Sequence, residues 1–205
     1  MTERKDFDAA AALWDEEPRR VKLAADIAAA MRELLPLSSE WRGMDFGCGT
    51  GLLTLHLAPW LGSVVGADSS PGMLEQLNAK LHRSSITNVR SALCDHEHGV
   101  LPDGPFDLIA SAMTLHHIPE IAPLLAALHE RLSPGGWLAL ADLEAEDGSF
   151  HGDATGVFHL GFSRACLNEL LEEAGFCERS VRVAADVVKG ERSYPVLLAV
   201  GRRAP

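Results

Sequence analysis

The chain is poor in several residue types that mark protein classes. It has one tyrosine and four cysteines in 205 residues, and its 18 Lys and Arg are outnumbered by 29 Asp and Glu, for a formal net charge of −11. The cysteines (Cys48, Cys94, Cys166, Cys177) stand far apart with no CxxC pair. That argues against a disulfide framework or a zinc knuckle and makes a reducing cytoplasm the expected setting. The basic residues are scattered, with short pairs at Arg19-Arg20 and Arg202-Arg203. Nucleic acid, whose phosphates need clustered Lys and Arg, is therefore not an expected partner. No apolar run approaches the roughly 18 residues of a membrane span, and the polar, acidic start lacks the apolar stretch of a secretory signal.

The rest is ordinary for a globular protein, 47% hydrophobic and 23% charged, long enough for one well-buried domain and short for two. Residues 1–12 are expected to fray. Helical spacing over 9–35 is split by Pro18 and stops before Pro36. Short strands are predicted at 41–46, 64–67, 89–94, 106–110 and 137–143. Helices are predicted at 52–61, 70–83 and 119–132, with Ser70-Pro71 supplying a cap and a first-turn proline. Ser133-Pro134-Gly135-Gly136 reads as a turn. Five alternations of strand and helix imply a parallel sheet covered on both faces. Residues 147–161, rich in Gly, His and Phe, break the rhythm and read as a loop or lid. A helix over 163–174 and two strands, 177–188 and 194–200, follow, the strands joined as a hairpin by Lys189-Gly190-Glu191-Arg192.

The densest signal is MDFGCGTG at 44–51. Glycines at 47, 49 and 51 let the chain turn sharply from strand to helix and let a ligand approach the backbone with no Cβ in the way. A second apolar run ends in Asp68, about 20 residues on, the spacing at which a strand–helix–strand unit presents a carboxylate to a ribose. The pattern is GxGxG with Asp45 upstream, where the dinucleotide fingerprint is GxGxxG. It fits a ligand with a ribose and no phosphate better than NAD. No Gly-Lys-Ser/Thr closes the run, so it is not a P-loop. The only tyrosine, Tyr194, lies in the predicted last strand, and no Tyr-x-x-x-Lys pair is present, which disfavours an NAD-dependent oxidoreductase.

The stretches MDFGCGTG at 44–51, VVGADSSPGML at 64–74, ALCDHE at 92–97, FDLIASAMTLHHI at 106–118 and LSPGGWLALADL at 132–143 follow one another in family order. In these the chain resembles class I S-adenosylmethionine-dependent methyltransferases, among the small proteins similar to ubiquinone and menaquinone biosynthesis enzymes. The resemblance is strong over residues 40–145 and looser at the ends. It is specific for the cofactor and almost silent on the acceptor. It implies a single methyltransferase domain over 1–205. The expected fold is a doubly wound, Rossmann-like α/β sheet in three layers, seven-stranded and mostly parallel, with a C-terminal antiparallel hairpin. Residues 1–36 would form a helical cap and 146–162 a lid. The implied cofactor is S-adenosyl-L-methionine. Asp45 and the Gly47, Cys48 and Gly49 backbone would hold its methionine end, and Asp68 its ribose hydroxyls. Ser69 and Met73 would border the adenosine, Asp95 and His96 the adenine, and Ser111 the sulfonium side.

Six of nine histidines (96, 98, 116, 117, 151, 159) fall at predicted strand ends or in the lid, the ligand edge of such a sheet. His116 or His117 would serve as a general base. A metal site from Asp95, His96, His98 and a further histidine pair is the weaker reading, because the spacing lacks the fixed helical pattern of zinc motifs. No metal is assigned. Methyl transfer needs alignment more than a base, so the base is optional. Trp14, His151, Phe158 and His159 are the expected substrate-side residues, and the aromatic content of the lid favours a small, partly apolar acceptor. The functional expectation is methyl transfer to an O, N or C nucleophile of a small molecule. A non-catalytic cofactor-binding protein is the alternative, and a homodimer is an admissible assembly.

Overall fold

A computed structural model describes residues 6–205. Seven strands form one sheet: β1 (Arg42–Phe46), β2 (Ser63–Asp68), β3 (Val89–Leu93), β4 (Phe106–Ala112), β5 (Leu132–Leu143), β6 (Cys177–Lys189) and β7 (Arg192–Arg202). Their order is β3-β2-β1-β4-β5-β7-β6. The first five pair in parallel, while β7 runs antiparallel to both β5 and β6. The expected seven-stranded sheet with its terminal hairpin is the observed one.

Burial on both faces explains why these strands read as continuous apolar runs rather than alternating ones. On one face α2 (Pro18–Leu34) and α3 (Leu52–Leu57) bury Ile27, Met31, Leu53 and Leu57 against Val64, Leu108, Ala139 and Leu198. On the other, α5 (Ile121–Arg131) and α6 (Arg164–Glu173) bury Leu125, Leu128, Leu167 and Leu171 against Val65, Ile109, Leu138 and Leu197. Successive residues of one strand, such as Val64 and Val65, thus serve opposite cores. The short α1 (Phe7–Ala10) and α4 (Pro71–Arg83) complete the helices, and α4 packs through Leu74 and Leu77 beside Cys48. Ser70 caps α4 by accepting from the Met73 amide at 3.1 Å, and Ser163 caps α6 by accepting from Cys166 at 3.1 Å; such caps are worth about 1 kcal/mol each.

Two local expectations change. The predicted turn at 133–136 lies inside β5 as an irregularity: Phe106 pairs with Leu132 and Leu108 with Trp137. The extra residues are absorbed without ending the strand. The fraying expected of residues 1–12 is not what the described part of that segment does. Residues 1–5 lie outside the described residues. From Asp6 onward the chain is helical, and the Asp8 carboxylate accepts from the Ser70 hydroxyl and, at 2.7 Å, from the Gly72 amide. These bonds tie the N-terminal segment to the start of α4.

The candidate active-site cleft

The order of strands reverses at β1, with β2 on one side and β4 on the other. In an open α/β sheet the crevice beyond the carboxyl ends of the strands at such a point is the ligand site. A cleft of about 750 Å³ lies there. It is floored by residues 45–50 at the end of β1, Asp68 at the end of β2, residues 93–96 at the end of β3 and residues 112–114 at the end of β4.

The glycine turn is held against β2, because the Gly47 and Cys48 amides donate to the Ala67 carbonyl at 2.8 and 3.0 Å. Gly47 has φ +70°, and a Cβ there would stand 2.3 Å from the Thr114 hydroxyl oxygen. Only glycine lets the β1 and β4 ends approach this closely. The Asp68 carboxylate accepts from the Gly49 amide at 2.7 Å and from the Ser70 amide at 2.9 Å. The Ser69 amide is a third donor, and a carboxylate offers about four lone-pair sites, so room remains for a ligand hydroxyl. Beneath the turn, Asp45 is buried and accepts from the Thr54 hydroxyl at 2.6 Å. Burial, unanswered by any cation among the described residues, pushes its carboxyl up to about 7. Burial likewise raises the Asp68 carboxyl, and it raises the Cys48 thiol well above its ordinary value. The floor therefore carries desolvated carboxylates, which a cationic ligand would relieve.

The other carboxylate, Asp95, is half-exposed and accepts from the His98 ring at 2.7 Å, a bond that holds its carboxyl below the usual range. His96 stands edge-on to the Phe46 ring, centroids 5.8 Å apart. Among the described residues no group of three or more His, Cys, Asp or Glu converges as metal ligands would.

The opposite wall is made of imidazoles. His116 is buried, and its Nδ1 donates to Asp142 at 2.7 Å while its backbone amide donates to the same carboxylate at 3.2 Å. Asp142 also accepts from the Leu143 amide at 2.8 Å. Nδ1–H facing a carboxylate puts the lone pair of the neutral ring on Nε2. His117 lies 4.1 Å from His116 between ring centroids and donates from Nδ1 to the Gly156 carbonyl at 2.7 Å. His151 lies 5.0 Å from His116 and 4.9 Å from Phe150. All three histidines line the cleft.

The N-terminal segment closes the top. Asp15 accepts from the Thr50 hydroxyl at 2.6 Å and pairs with Lys80, which also donates to the Thr50 carbonyl at 2.7 Å. Trp14 faces the cleft with Arg20 over its ring.

Most of the residues expected from the sequence meet in this one cleft: Asp45, Gly47, Cys48, Gly49, Asp68, Ser69, Met73, Asp95, His96, Trp14, His116, His117 and His151. Three do not. Ser111 is fully buried and donates to the Phe46 carbonyl at 2.8 Å, so it braces β4 against β1 beneath the cleft instead of lining it. Phe158 points outward at 39% exposure. His159 bonds the Ile118 carbonyl at 2.9 Å and serves to anchor the 146–162 excursion. Phe162 is core and Leu160 is exposed, so the apolar acceptor wall inferred from this segment shrinks to Phe150. Sequence reasoning missed Asp142, Asp8 and Thr114, and it expected Asp15, with Trp14, on the substrate side, where the structure ties it to Thr50 and Lys80. A lone acid in the apolar run WLALADL was the one available sign of Asp142.

Residues 44–136 match the family model described as methyltransferase domain. The biotin biosynthesis bifunctional protein BioCD of Bordetella avium is 37% identical over 144 residues, covering 69% of this chain and 30% of that protein. The trans-aconitate 2-methyltransferase of Deinococcus radiodurans is 31% identical over 192 residues, covering 82% of this chain and 67% of the relative. Among solved structures, one titled "Complex between the Haloferax volcanii Trm112 methyltransferase activator and the putative methyltransferase" matches with a TM-score of 0.78 at 20% identity, over 98% of this chain and 99% of that one. The chain belongs to the class I S-adenosylmethionine-dependent methyltransferase family. It spans 30 to 59% of the first curated relatives it matches. Among the described residues no helix is long and apolar enough to cross a membrane.

Proposed function

We propose that this protein catalyses S-adenosylmethionine-dependent methyl transfer to an O, N or C nucleophile of a small molecule. The observation that carries the reading is that one cleft joins two desolvated carboxylates on a glycine turn to a carboxylate-oriented imidazole. The fit to the cofactor rests on the residues present. Gly47 and Gly49 line the cleft with backbone at positive φ, Asp68 lines it beside the turn, and Asp45 is a buried acid that no cation among the described residues answers. Bound there, S-adenosylmethionine supplies an electrophilic methyl group and a good leaving group.

In this reading Asp45 and the 47–49 backbone hold the methionine end, and Asp68 takes the ribose hydroxyls. Ser69, Met73, Asp95 and His96 surround the adenosine. His116 is the better base of the two expected, because Asp142 fixes its tautomer and orientation, as a third group does for a catalytic base elsewhere. It would receive the acceptor's proton at Nε2. His117 is committed through Nδ1 to the excursion and serves to position it. The 146–162 excursion acts as a lid, and the segment from Asp6 to Glu17 as a cap. The acceptor does not follow from likeness, since one relative is named for biotin biosynthesis and another for trans-aconitate.

The test is calorimetric titration with S-adenosylhomocysteine and with NADH, followed by a methyl-transfer screen over small metabolites. Saturable binding of the former alone supports the reading. Binding of NADH, or of neither, refutes it. Binding of S-adenosylhomocysteine with every residue of the His116 wall dispensable for turnover would leave the donor half standing and remove the base.

A further inference from the structure

Among the described residues three Lys or Arg side chains line the cleft: Arg19 and Arg20 from the first turn of α2, and Lys189 from the end of β6. They are not equivalent. Arg19 forks onto Glu17 through two hydrogen bonds of 2.9 and 2.8 Å, and its charge is answered locally. Among the described residues Arg20 and Lys189 form no ion pair. Arg20 lies 3.7 Å over the Trp14 ring and donates to the Trp14 carbonyl at 3.1 Å. Lys189 stands 4.2 Å over the Phe150 ring and donates to the Phe150 carbonyl. Burial, with repulsion from neighbouring guanidinium groups, holds the Lys189 amine and the Arg20 guanidinium below their ordinary ranges, against a partial pull from Glu17 on both and from Asp15 on Arg20. Two cations are thus kept close together, partly desolvated, at the mouth of a cleft in a chain of net charge −11. Such an arrangement is unfavourable until an anion enters it.

Lys189 stands apart from the cofactor's end. Asp45 and Asp68 lie in the last residues of β1 and β2, and Asp95 just after β3, in one half of the sheet. Lys189 belongs to the other half and is continuous with the imidazole wall. Its amine sits on Phe150, the Phe150 ring abuts His151 at 4.9 Å, and His151 abuts His116 at 5.0 Å. We infer that the methyl acceptor carries an oxyanion, a carboxylate or phosphate, which Lys189 and Arg20 hold while the acceptor's nucleophile faces His116. Arg20 presents a planar fork and Lys189 a point charge, a pair suited to an oxyanion with more than one free oxygen. The hydroxy, amino or second acid group that accepts methyl would lie across Phe150 and His151 from that oxyanion. The inference rests on the methyltransferase reading of the cleft.

A carboxylate could also belong to the cofactor's own amino-acid end, and the test separates the two. Protein saturated with S-adenosylhomocysteine is titrated calorimetrically with citrate, and separately with inorganic phosphate, at constant ionic strength with chloride as reference anion. The expected result is saturable binding of at least one of them. It weakens by about tenfold or more in Lys189→Gln and Arg20→Gln, as removal of a charge-assisted hydrogen bond implies, and recovers in Lys189→Arg. The affinity of Lys189→Gln for S-adenosylhomocysteine stays within about twofold of wild type, because the Lys189 amine lies outside the cofactor's end. No saturable binding of either anion, or binding unchanged by Lys189→Gln, overturns the inference. A parallel loss of S-adenosylhomocysteine affinity in Lys189→Gln also overturns it, by giving the oxyanion to the cofactor. Wild-type protein that fails to bind S-adenosylhomocysteine at all is a different failure, that of the methyltransferase reading itself.

Discussion

At the end of the cleft built on β1–β3 the charged groups are the carboxylates Asp45, Asp68 and Asp95, with His96 beside them. At the end built on β4, β5 and the 146–162 excursion stand His116, His117, His151 and Asp153, with Lys189 reaching in from the end of β6. At the first end the glycine turn hangs from Ala67 and Asp68 accepts from the Gly49 and Ser70 amides, while Asp45 and Asp95 accept from side chains, the Thr54 hydroxyl and the His98 ring. At the second end His116 is held by the Asp142 carboxylate, and His117 and Lys189 bond backbone carbonyls of the 146–162 excursion. The difference that has a physical reading is one of charge. Desolvated carboxylates suit a ligand with a cationic end, and an oriented imidazole beside an ammonium suits a group that gives up a proton or carries an anion.

Removing His116 tests that division most severely. With an acceptor in hand, His116→Ala is expected to cut kcat by about 10²- to 10⁴-fold, the usual worth of a positioned base, and to leave S-adenosylhomocysteine affinity unchanged. Asp142→Asn would give a smaller loss and move the acid limb of the pH–rate profile. A purely structural Asp142 would lower stability without moving that limb.

Asp45 offers a pH test at the carboxylate end. Its carboxyl titrates near 7 when folded against an ordinary value of 3.8. Between those values the folded protein binds more protons than the unfolded chain. Stability from this group is therefore full below about pH 4, is lost as pH rises through about 7, and stays lost above it. The melting temperature of ligand-free wild type, less that of Asp45→Asn, is expected to fall across that window. Protection by S-adenosylhomocysteine, whose ammonium favours the ionised carboxylate, is expected to be larger at about pH 8 than at about pH 5.5. A pH-independent difference between the two proteins would contradict the placement of Asp45 as an uncompensated buried acid.

Smaller effects belong to the cap and the lid surface. Asp8→Ala removes the bonds to Ser70 and Gly72 and is expected to weaken S-adenosylhomocysteine binding by roughly three- to tenfold, the net worth of such hydrogen bonds. Calorimetry on the variant checks it. Phe158→Ala is expected to stay within about 0.5 kcal/mol of wild type in stability and to leave affinity alone, because the side chain faces solvent. A loss of binding there would mean that Phe158 meets the ligand, against its exposed place in the structure.

Much of the carboxylate half was legible in the residues themselves. The 44–51 turn, the return to Asp68 and the Ser70 cap are local features, each set by spacing within one strand–turn–helix unit. The imidazole half was legible as composition only. His116 and His151 stand 35 positions apart, and only folding the excursion back onto β4 brings their rings together. Ser111 was misplaced for a related reason. A serine at a strand end looks like a ligand contact until the register of β1 against β4 puts its hydroxyl on the Phe46 carbonyl. Asp142 was hidden because a buried acid in an apolar strand has no partner in its own sequence neighbourhood; its partner is 26 residues upstream. Asp8 escaped for the same reason, its partner Ser70 being 62 positions downstream.

The division of the cleft is tested most directly by titrating S-adenosylhomocysteine into wild type, Asp68→Ala and His116→Ala side by side. The expected result is a loss of about 10- to 150-fold in affinity for Asp68→Ala, from charge-assisted hydrogen bonds of about 1.5–3 kcal/mol, and wild-type affinity for His116→Ala. Equal losses in the two variants, or undiminished binding by Asp68→Ala, would contradict the assignment of the carboxylate end to the cofactor and of the imidazole end to the acceptor.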